Sequence, residues 1–367
     1  MTLKSVDETA AADIAVERQG ALARIILKRM RALNALDTAM RSVIAESIPV
    51  LARDPGLYAV VLRSTSPKAF SAGGDVRELI AWHRESPARA RAAFADEYRL
   101  NWTLDCFSKP TVSLIDGMVM GSGVGISIYN THRVAGAGYR FAMPETMIGL
   151  FPDVGVAHRL SRLPGEIGSY LGLTGRTIER ADAYALGLVT HCIAAGHFDA
   201  IEAALADAQP VDALLDGLHE DPGAAPLLAH AQMLEQCFAA DRVEDIVSRL
   251  AAVTGTQRDF AQGILGDLAR RSPTSLKITL RHLREARGMD LRHVLVADYR
   301  LACRCLDDHD FAEGVRAALI DKDNQPVWRP ATLEEVGSDR VASYFAVLPA
   351  GEELVLPTRA QVQAARV

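Results

Sequence analysis

Two glycine-rich turns and two loop carboxylates are the residues in this chain whose types and spacing could do chemistry. The run Gly121-Ser122-Gly123-Val124-Gly125 follows a short apolar stretch, residues 111–115 (TVSLI), that reads as a buried strand. Side chains are nearly absent there, so backbone N–H groups can approach a ligand closely. The apolar residues that follow predict a helix, which would set those amides at its positive end, suited to a carbonyl oxygen becoming negative. A second turn, Lys68-Ala69-Phe70-Ser71-Ala72-Gly73-Gly74-Asp75, follows another strand-like run and could supply a second N–H, with Asp75 expected to cap a helix from Val76. Two such donors converging on one carbonyl would form an oxyanion hole. Pro144-Glu145 stands downstream, and Pro152-Asp153 follows it. Gly149 and Pro152 break any helical pattern between the acids, so both are expected on a loop. Met147, Ile148, Leu150 and Phe151 make that loop unusually apolar, which predicts that it folds inward and carries its acids out of water. Desolvation favours a protonated carboxyl and raises its pKa, the tuning that acid–base chemistry needs.

Other chemistries fit these residues less well. A dinucleotide fingerprint would need a small residue where Ile126 stands, although Glu145 falls at the distance of a ribose-binding acid. A GxSxG nucleophile elbow around Ser122 would need glycine in place of Met120 and Val124, and there is no GxxxxGK[ST] phosphate loop. His132, His158 and His191 have no evident acid or nucleophile partner. Cys303, Cys305 and His309 fall in a helical pattern where cysteine usually fills core. On residue types alone, the glycines serve structure or catalysis equally well.

The elements that must position these residues alternate. Residues 23–27 (ARIIL) and 59–63 (AVVLR) are short β-type runs. Residues 37–51 between them have helical spacing, with Asp37 as N-cap. Residues 88–104 form a long Ala/Arg-rich helical stretch containing Glu97 and Tyr98. This alternation predicts an α/β core. From residue 164 onward the chain turns helical (165–173, 180–186, 199–208), then passes a Pro- and Gly-containing connector at 207–225 and resumes at 272–321. The expected division is an α/β core at 13–206, a helical region at 207–348 and a loosely held tail at 349–367.

The 367 residues, 49% hydrophobic and 23% charged, suit a globular protein, and the net charge of −6 offers no general attraction to nucleic acid or anionic membrane. Lys28, Arg29 and Arg31, with Lys68, could still form a local basic patch. Five cysteines without zinc spacing suggest a reducing compartment. The first 17 residues show no signal region and no window offers eighteen uninterrupted apolar residues, so a cytoplasmic location without a membrane span is expected.

In series, KAFSAGGDVREL, DGMVMGSGVGISI, FAMPETMIGLFPDVGVAHRLSRLPG and LTGRTIERADAYALGLVTH resemble the enoyl-CoA hydratase/isomerase (crotonase) superfamily. SPTSLKITLRHLREA, HDFAEGVRAALIDKD and QPVWRPATLEEV are similar, within it, to the 3-hydroxyisobutyryl-CoA hydrolases, and the resemblance covers about residues 14–348. It implies a crotonase-like spiral of ββα units with a helical C-terminal region, and hydrolysis of a short branched 3-hydroxyacyl-CoA in valine catabolism. The amides of Gly74 and Ser122 fall on the superfamily's oxyanion hole, where many relatives carry glycine at the second position. Glu145 and Asp153 fall on the hydrolases' catalytic pair, and Glu97 on an acid lining the acyl pocket. The segments holding Lys28 and Ala32, Lys68 and Ala72, together with Gly121, fall on the substrate cleft, where the basic patch would meet coenzyme A phosphates. Hydratases carry two glutamates, the first where this chain has Gly125, the second at Glu145. Glycine there, with the added Asp153, favours hydrolysis over hydration. The resemblance further implies an acyl-CoA partner and no cofactor beyond the coenzyme A of the substrate; it leaves a homo-oligomer possible but open, since relatives often assemble through C-terminal helices, a surface that the longer hydrolase-like tail could cover.

Overall fold

A computed structural model describes residues 12–365. The leader-free reading of the N-terminus falls mostly on residues outside this span. Among the described residues ten strands form two sheets: β1 (Ile14–Gln19), β2 (Leu22–Leu27), β3 (Ala59–Ser64), β4 (Ala69–Ser71), β5 (Thr111–Ile115), β6 (Met118–Met120), β7 (His132–Ala135), β8 (Arg140–Ala142), β9 (Ile178–Glu179) and β10 (His191–Cys192). The larger sheet runs β1-β2-β3-β5-β7-β10 and the smaller β4-β6-β8-β9. Each pass of the chain gives one strand to the larger sheet and the next to the smaller, then a helix or turn: β3 and β4, β5 and β6, β7 and β8. This is the crotonase-type spiral of ββα units.

Strand periodicity explains the two faces of the larger sheet. Ala59 and Val61 join Leu22, Val112, Leu114 and Val134 in a cluster covered by Ile201, Leu205, Val211 and Leu215. Val60 and Leu62 point the opposite way, into the main core with Ile25 and Leu27. Residues 207–225, expected as a connector, contain a helix, Val211–Leu218, whose Val211 and Leu215 help close that outer face. The main core is continuous from Ile25 and Phe70 to Leu276, Leu301 and Phe311, so the helical region packs onto the spiral through shared apolar contacts.

The helices that matter for the site are α1 (Thr38–Arg53), α2 (Val76–Glu85), α3 (Pro87–Cys106), α4 (Ser122–Gly125), α5 (Val156–Leu160), α6 (Pro273–Ala286), α7 (Leu291–Asp307) and α8 (His309–Val315), followed by a π-helical turn, Arg316–Ile320. Asp37 caps α1 as expected, accepting from the Met40 amide at 2.9 Å. Asp75 does not cap α2; its carboxylate is drawn to the Arg29 guanidinium at 3.0 Å. The helix expected after Gly121 is a single turn, beyond which Ser127 Oγ bonds back to the Gly123 and Val124 carbonyls. The described part of the tail, residues 349–365, is mostly exposed but touches the body at a few points. Leu354, Leu356 and Val362 are buried, the Trp102 indole donates to the Pro357 carbonyl at 2.8 Å, and Thr358 and Gln361 form a capping box. None of the described helices is long and apolar enough to cross a membrane.

Candidate active site

The smaller sheet brings the site together. β4, β6 and β8 are adjacent and parallel, with Ala69 opposite Met118 and Met120 opposite Ala142. Parallel neighbours release their following loops at the same edge. Thus the Gly73-Gly74 turn after β4, the Gly121-Ser122 turn after β6 and Pro144-Glu145 after β8 emerge side by side. They line one cavity of about 270 Å³ with Ala72, Glu97, Leu150, Asp153 and Leu319.

The two glycine turns touch. Gly74 sits in a parallel bridge to Leu36 in which Gly73 O accepts from Leu36 N and Asp75 N donates to Leu36 O. Alternation then turns the Gly74 amide the other way, and among the described residues neither it nor the Ser122 amide has a protein acceptor. Gly121 has φ 45°, a conformation that L side chains rarely adopt. A Cβ on it would stand 3.1 Å from Glu145 Oε1 and 3.9 Å from Gly74 N, so the bare backbone is what lets the acid and the amide share this space. Ser122 Oγ fills the room a Cβ on Gly74 would need, 2.7 Å away, so the hydroxyl is accommodated by the glycine opposite.

The acid loop folds inward: Glu145 is 6% and Asp153 5% exposed. Leu150 and Phe151 anchor it, whereas Met147, expected to turn in, stays 40% exposed at the mouth. Glu145 opens a short 3-10 turn, Glu145–Ile148, rather than standing on an open loop. Its Oε2 is buried and has no hydrogen-bond partner among the described residues, an arrangement costly to leave unused. Burial pushes the Glu145 carboxyl up to about 8, its own backbone N–H opposing and the nearby Glu97 charge adding to the rise. Asp153 is also driven well above the usual range, first by burial, then by Glu97, Glu145 and Asp298, against the hydroxyl of Tyr98, which donates to Asp153 Oδ2 at 2.8 Å. Glu97 lies 3.4 Å from the buried Arg41.

Residues 145–149 are roofed by the C-terminal helices. A Cβ on Gly149 (φ 73°) would lie 2.2 Å from the Asp310 carbonyl oxygen, and one on Gly314 would lie 2.4 Å from the Ile148 carbonyl carbon. Here α8 rests backbone to backbone on the loop, and the following π-helical turn brings Ala318 and Leu319 over the cavity.

Lys28, Ala32 and Lys68 do not line the cavity. Their segments are nonetheless laced to the turns that do, Ala72 N donating to Leu33 O and Asn34 Nδ2 to Phe70 O. The expected basic patch is largely neutralised: Arg31 is paired with Asp13, and Arg29 lies near Asp13, Asp37 and Asp75. Only Lys28 and Lys68 of the four lack an ion-pair partner among the described residues. Sequence reasoning missed Arg41, Asp298 and His282, and gave no location for Ala318 and Leu319. The last two lie within HDFAEGVRAALIDKD and His282 within SPTSLKITLRHLREA, the available signals. No group of three His, Cys, Asp or Glu side chains among the described residues could hold a metal. A larger hollow, about 920 Å³, opens beside α6, but it holds none of the candidate acids or amides, and its Lys277 and Glu244 are paired at 2.6 Å.

Gly125 is closed to any side chain. A Cβ would meet Asn101 Nδ2 at 2.8 Å and Val154 Cβ at 2.9 Å. Gly125→Ala is expected to cost about 1–3 kcal/mol by overpacking, read as a lower denaturation midpoint; an unchanged midpoint would show that the space is open.

The enoyl-CoA hydratase/isomerase family profile matches residues 22–345. A mitochondrial 3-hydroxyisobutyryl-CoA hydrolase of Gallus gallus is 39% identical over 357 residues, covering 95% of this chain and 91% of the relative. The 3-hydroxyisobutyryl-CoA hydrolase 1 of Arabidopsis thaliana is 35% identical and covers 97% of each. Among solved structures, a carnitinyl-CoA dehydratase from Mycobacterium thermoresistibile has a TM-score of 0.88 at 36% identity, covering 94% of this chain and 98% of its own. An enoyl-CoA hydratase from Rhodobacter sphaeroides 2.4.1 has a TM-score of 0.87 at 34% identity, covering 94% and 100%.

Proposed function

Because this chain belongs to the enoyl-CoA hydratase/isomerase family, we infer that it is an acyl-CoA thioester hydrolase that converts 3-hydroxyisobutyryl-CoA to 3-hydroxyisobutyrate and coenzyme A. The hydrolases that it resembles over nearly their whole length support this. The hydratase and dehydratase names of the similar solved structures make added or lost water the rival reading. The observation that supports hydrolysis is the cavity itself: two buried acids, Glu145 and Asp153, line it together with the Gly74 and Ser122 turns, while Gly125, where the resemblance puts a hydratase's first glutamate, is packed against Asn101 and Val154.

In the proposed mechanism the thioester oxygen lies between the amides of Gly74 and Ser122, which stabilise the negative charge as the carbonyl carbon becomes tetrahedral. Glu145 acts on that carbon as a carboxylate, either bonding to it as a nucleophile or taking a proton from the attacking water. The C–S bond breaks, coenzyme A leaves as a thiolate that takes up a proton, and water supplies the oxygen of the new carboxylate. Asp153, oriented by Tyr98, holds the substrate hydroxyl or the water, and Glu97 positions the acyl group. A cavity of about 270 Å³ suits a short branched acyl chain. A role in valine catabolism and a cytoplasmic setting belong to the same proposal; for the latter, the support is that all five cysteines are buried and unpaired.

The test is a panel of short acyl-CoA esters assayed for free thiol release, with loss of enoyl absorbance from crotonyl-CoA followed in parallel. Thiol release fastest from 3-hydroxyisobutyryl-CoA, with hydration at least about 10²-fold slower, is expected for a site lacking one of two acid–base groups. Brisk hydration of crotonyl-CoA without thiol release would replace hydrolase with hydratase.

A further inference from the structure

The stretch that presents Asp153 is bracketed by a buried pair of side chains from helices far along the chain. Val154, a β-branched residue, has φ 53°, in the left-handed region that such residues avoid. A strained residue keeps its conformation only when its surroundings over-determine it, and here they do. The Tyr129 hydroxyl donates to the Val154 carbonyl at 2.8 Å, and the Gly155 amide donates to Asp298 Oδ2 at 2.6 Å. Asp298 Oδ1 is joined to His282 Nε2 at 2.6 Å, and the His282 ring meets Phe151 edge-on, centroids 5.7 Å apart. Asp298 and His282 are 0% and 1% exposed. They therefore grip the loop two residues before and two residues after Asp153, from α7 and α6.

We propose that Asp298, held by His282, is a positioning residue for the reaction: it fixes the strained turn at Val154 and thereby aims the Asp153 carboxyl into the cavity. This rests on the reading of Asp153 as a working acid. A purely architectural pair joining two helices would need no contact with the loop, yet one oxygen of Asp298 is given to the Gly155 amide.

The test is a double-mutant cycle on thiol release from 3-hydroxyisobutyryl-CoA, with folding of each variant checked by thermal melting. Asp298→Ala is expected to lower kcat on the order of 10²-fold with little change in KM, since misplacement by about 1 Å has that effect. Asp298→Asn keeps an acceptor for the Gly155 amide and is expected to recover most of the rate. In the Asp153→Asn background, Asp298→Ala is expected to add almost nothing, because it acts through a group already removed. Multiplying losses, or a rise in KM matching the fall in kcat, would reduce Asp298 to architecture and overturn the proposal. Full activity in Asp153→Asn alone would instead overturn the reading of the acid, and the positioning role with it. Should Asp298→Ala fail to fold, His282→Phe, which releases Asp298 but keeps a ring against Phe151, takes its place in the same cycle: a loss absent from the Asp153→Asn background supports the positioning role, and a multiplying loss overturns it.

Discussion

Glu145→Gln is expected to lower kcat for 3-hydroxyisobutyryl-CoA by about 10³-fold or more while leaving KM within a few-fold, because general-base and nucleophilic roles contribute on that scale. The amide is nearly the same size as the carboxyl and fits beside Gly121, where Glu145 Oε1 already stands within 3.1 Å of a notional Cβ. The cavity keeps its shape and its two open amides, so substrate still binds. What disappears is the charge on a carboxylate whose Oε2 has no hydrogen-bond partner among the described residues. Asp153→Asn is expected to be milder, since the Tyr98 hydroxyl can donate to an amide oxygen in the same place. Free thiol release under saturating substrate decides the matter: turnover undiminished in Glu145→Gln removes this residue from the reaction.

The second large effect is on pH. With the Glu145 carboxyl pushed up to about 8, the free enzyme at pH 6 holds it almost wholly protonated. A base or nucleophile must be ionised, so kcat/KM is expected to rise about tenfold per pH unit well below 8 and to level off above it, roughly 10²-fold between pH 6 and the plateau. The direction is diagnostic, because a Glu145 acting as a proton donor would give the opposite slope. Burial is the leading cause of the raised pKa and the Glu97 charge contributes to it, so Glu97→Gln is expected to move the rising limb to lower pH. The limb belongs to a set of interacting carboxyls, and kcat/KM measured from pH 5.5 to 9.5 reports their joint titration. A profile flat across that range would sink the assignment of Glu145 as the working base.

Much of this site is legible from residue types. The β-branched run that forms β5, the glycines after β4 and β6, and an apolar loop carrying two acids each announce themselves locally, through period, missing side chains and breakers. Their convergence is not local. It comes from β4, β6 and β8 lying side by side and parallel, which only the winding of the chain decides. The misses have the same origin. Asp75 has the right residue type and position for a helix cap, but the Arg29 guanidinium competes for its carboxylate across 46 residues. The cations at Lys28, Arg29 and Arg31 read along the chain as open to phosphates, whereas the fold sets Asp13, Asp37 and Asp75 beside the two arginines. Asp298 meets the loop across 143 residues, a distance at which neither period nor composition carries a signal.

The seating of Asp310 on Gly149 and of Gly314 on Ile148 also sets an order of events in time. A nascent chain leaving the ribosome completes both amide-bearing turns within its first 122 residues and both acids by residue 153. The roof comes from residues 309–320, more than 150 residues beyond the second acid, so the proposed site is covered only once that stretch has been made. A fragment ending before that stretch is expected to hold both amides and both acids with the backbone at Ile148 and Gly149 uncovered.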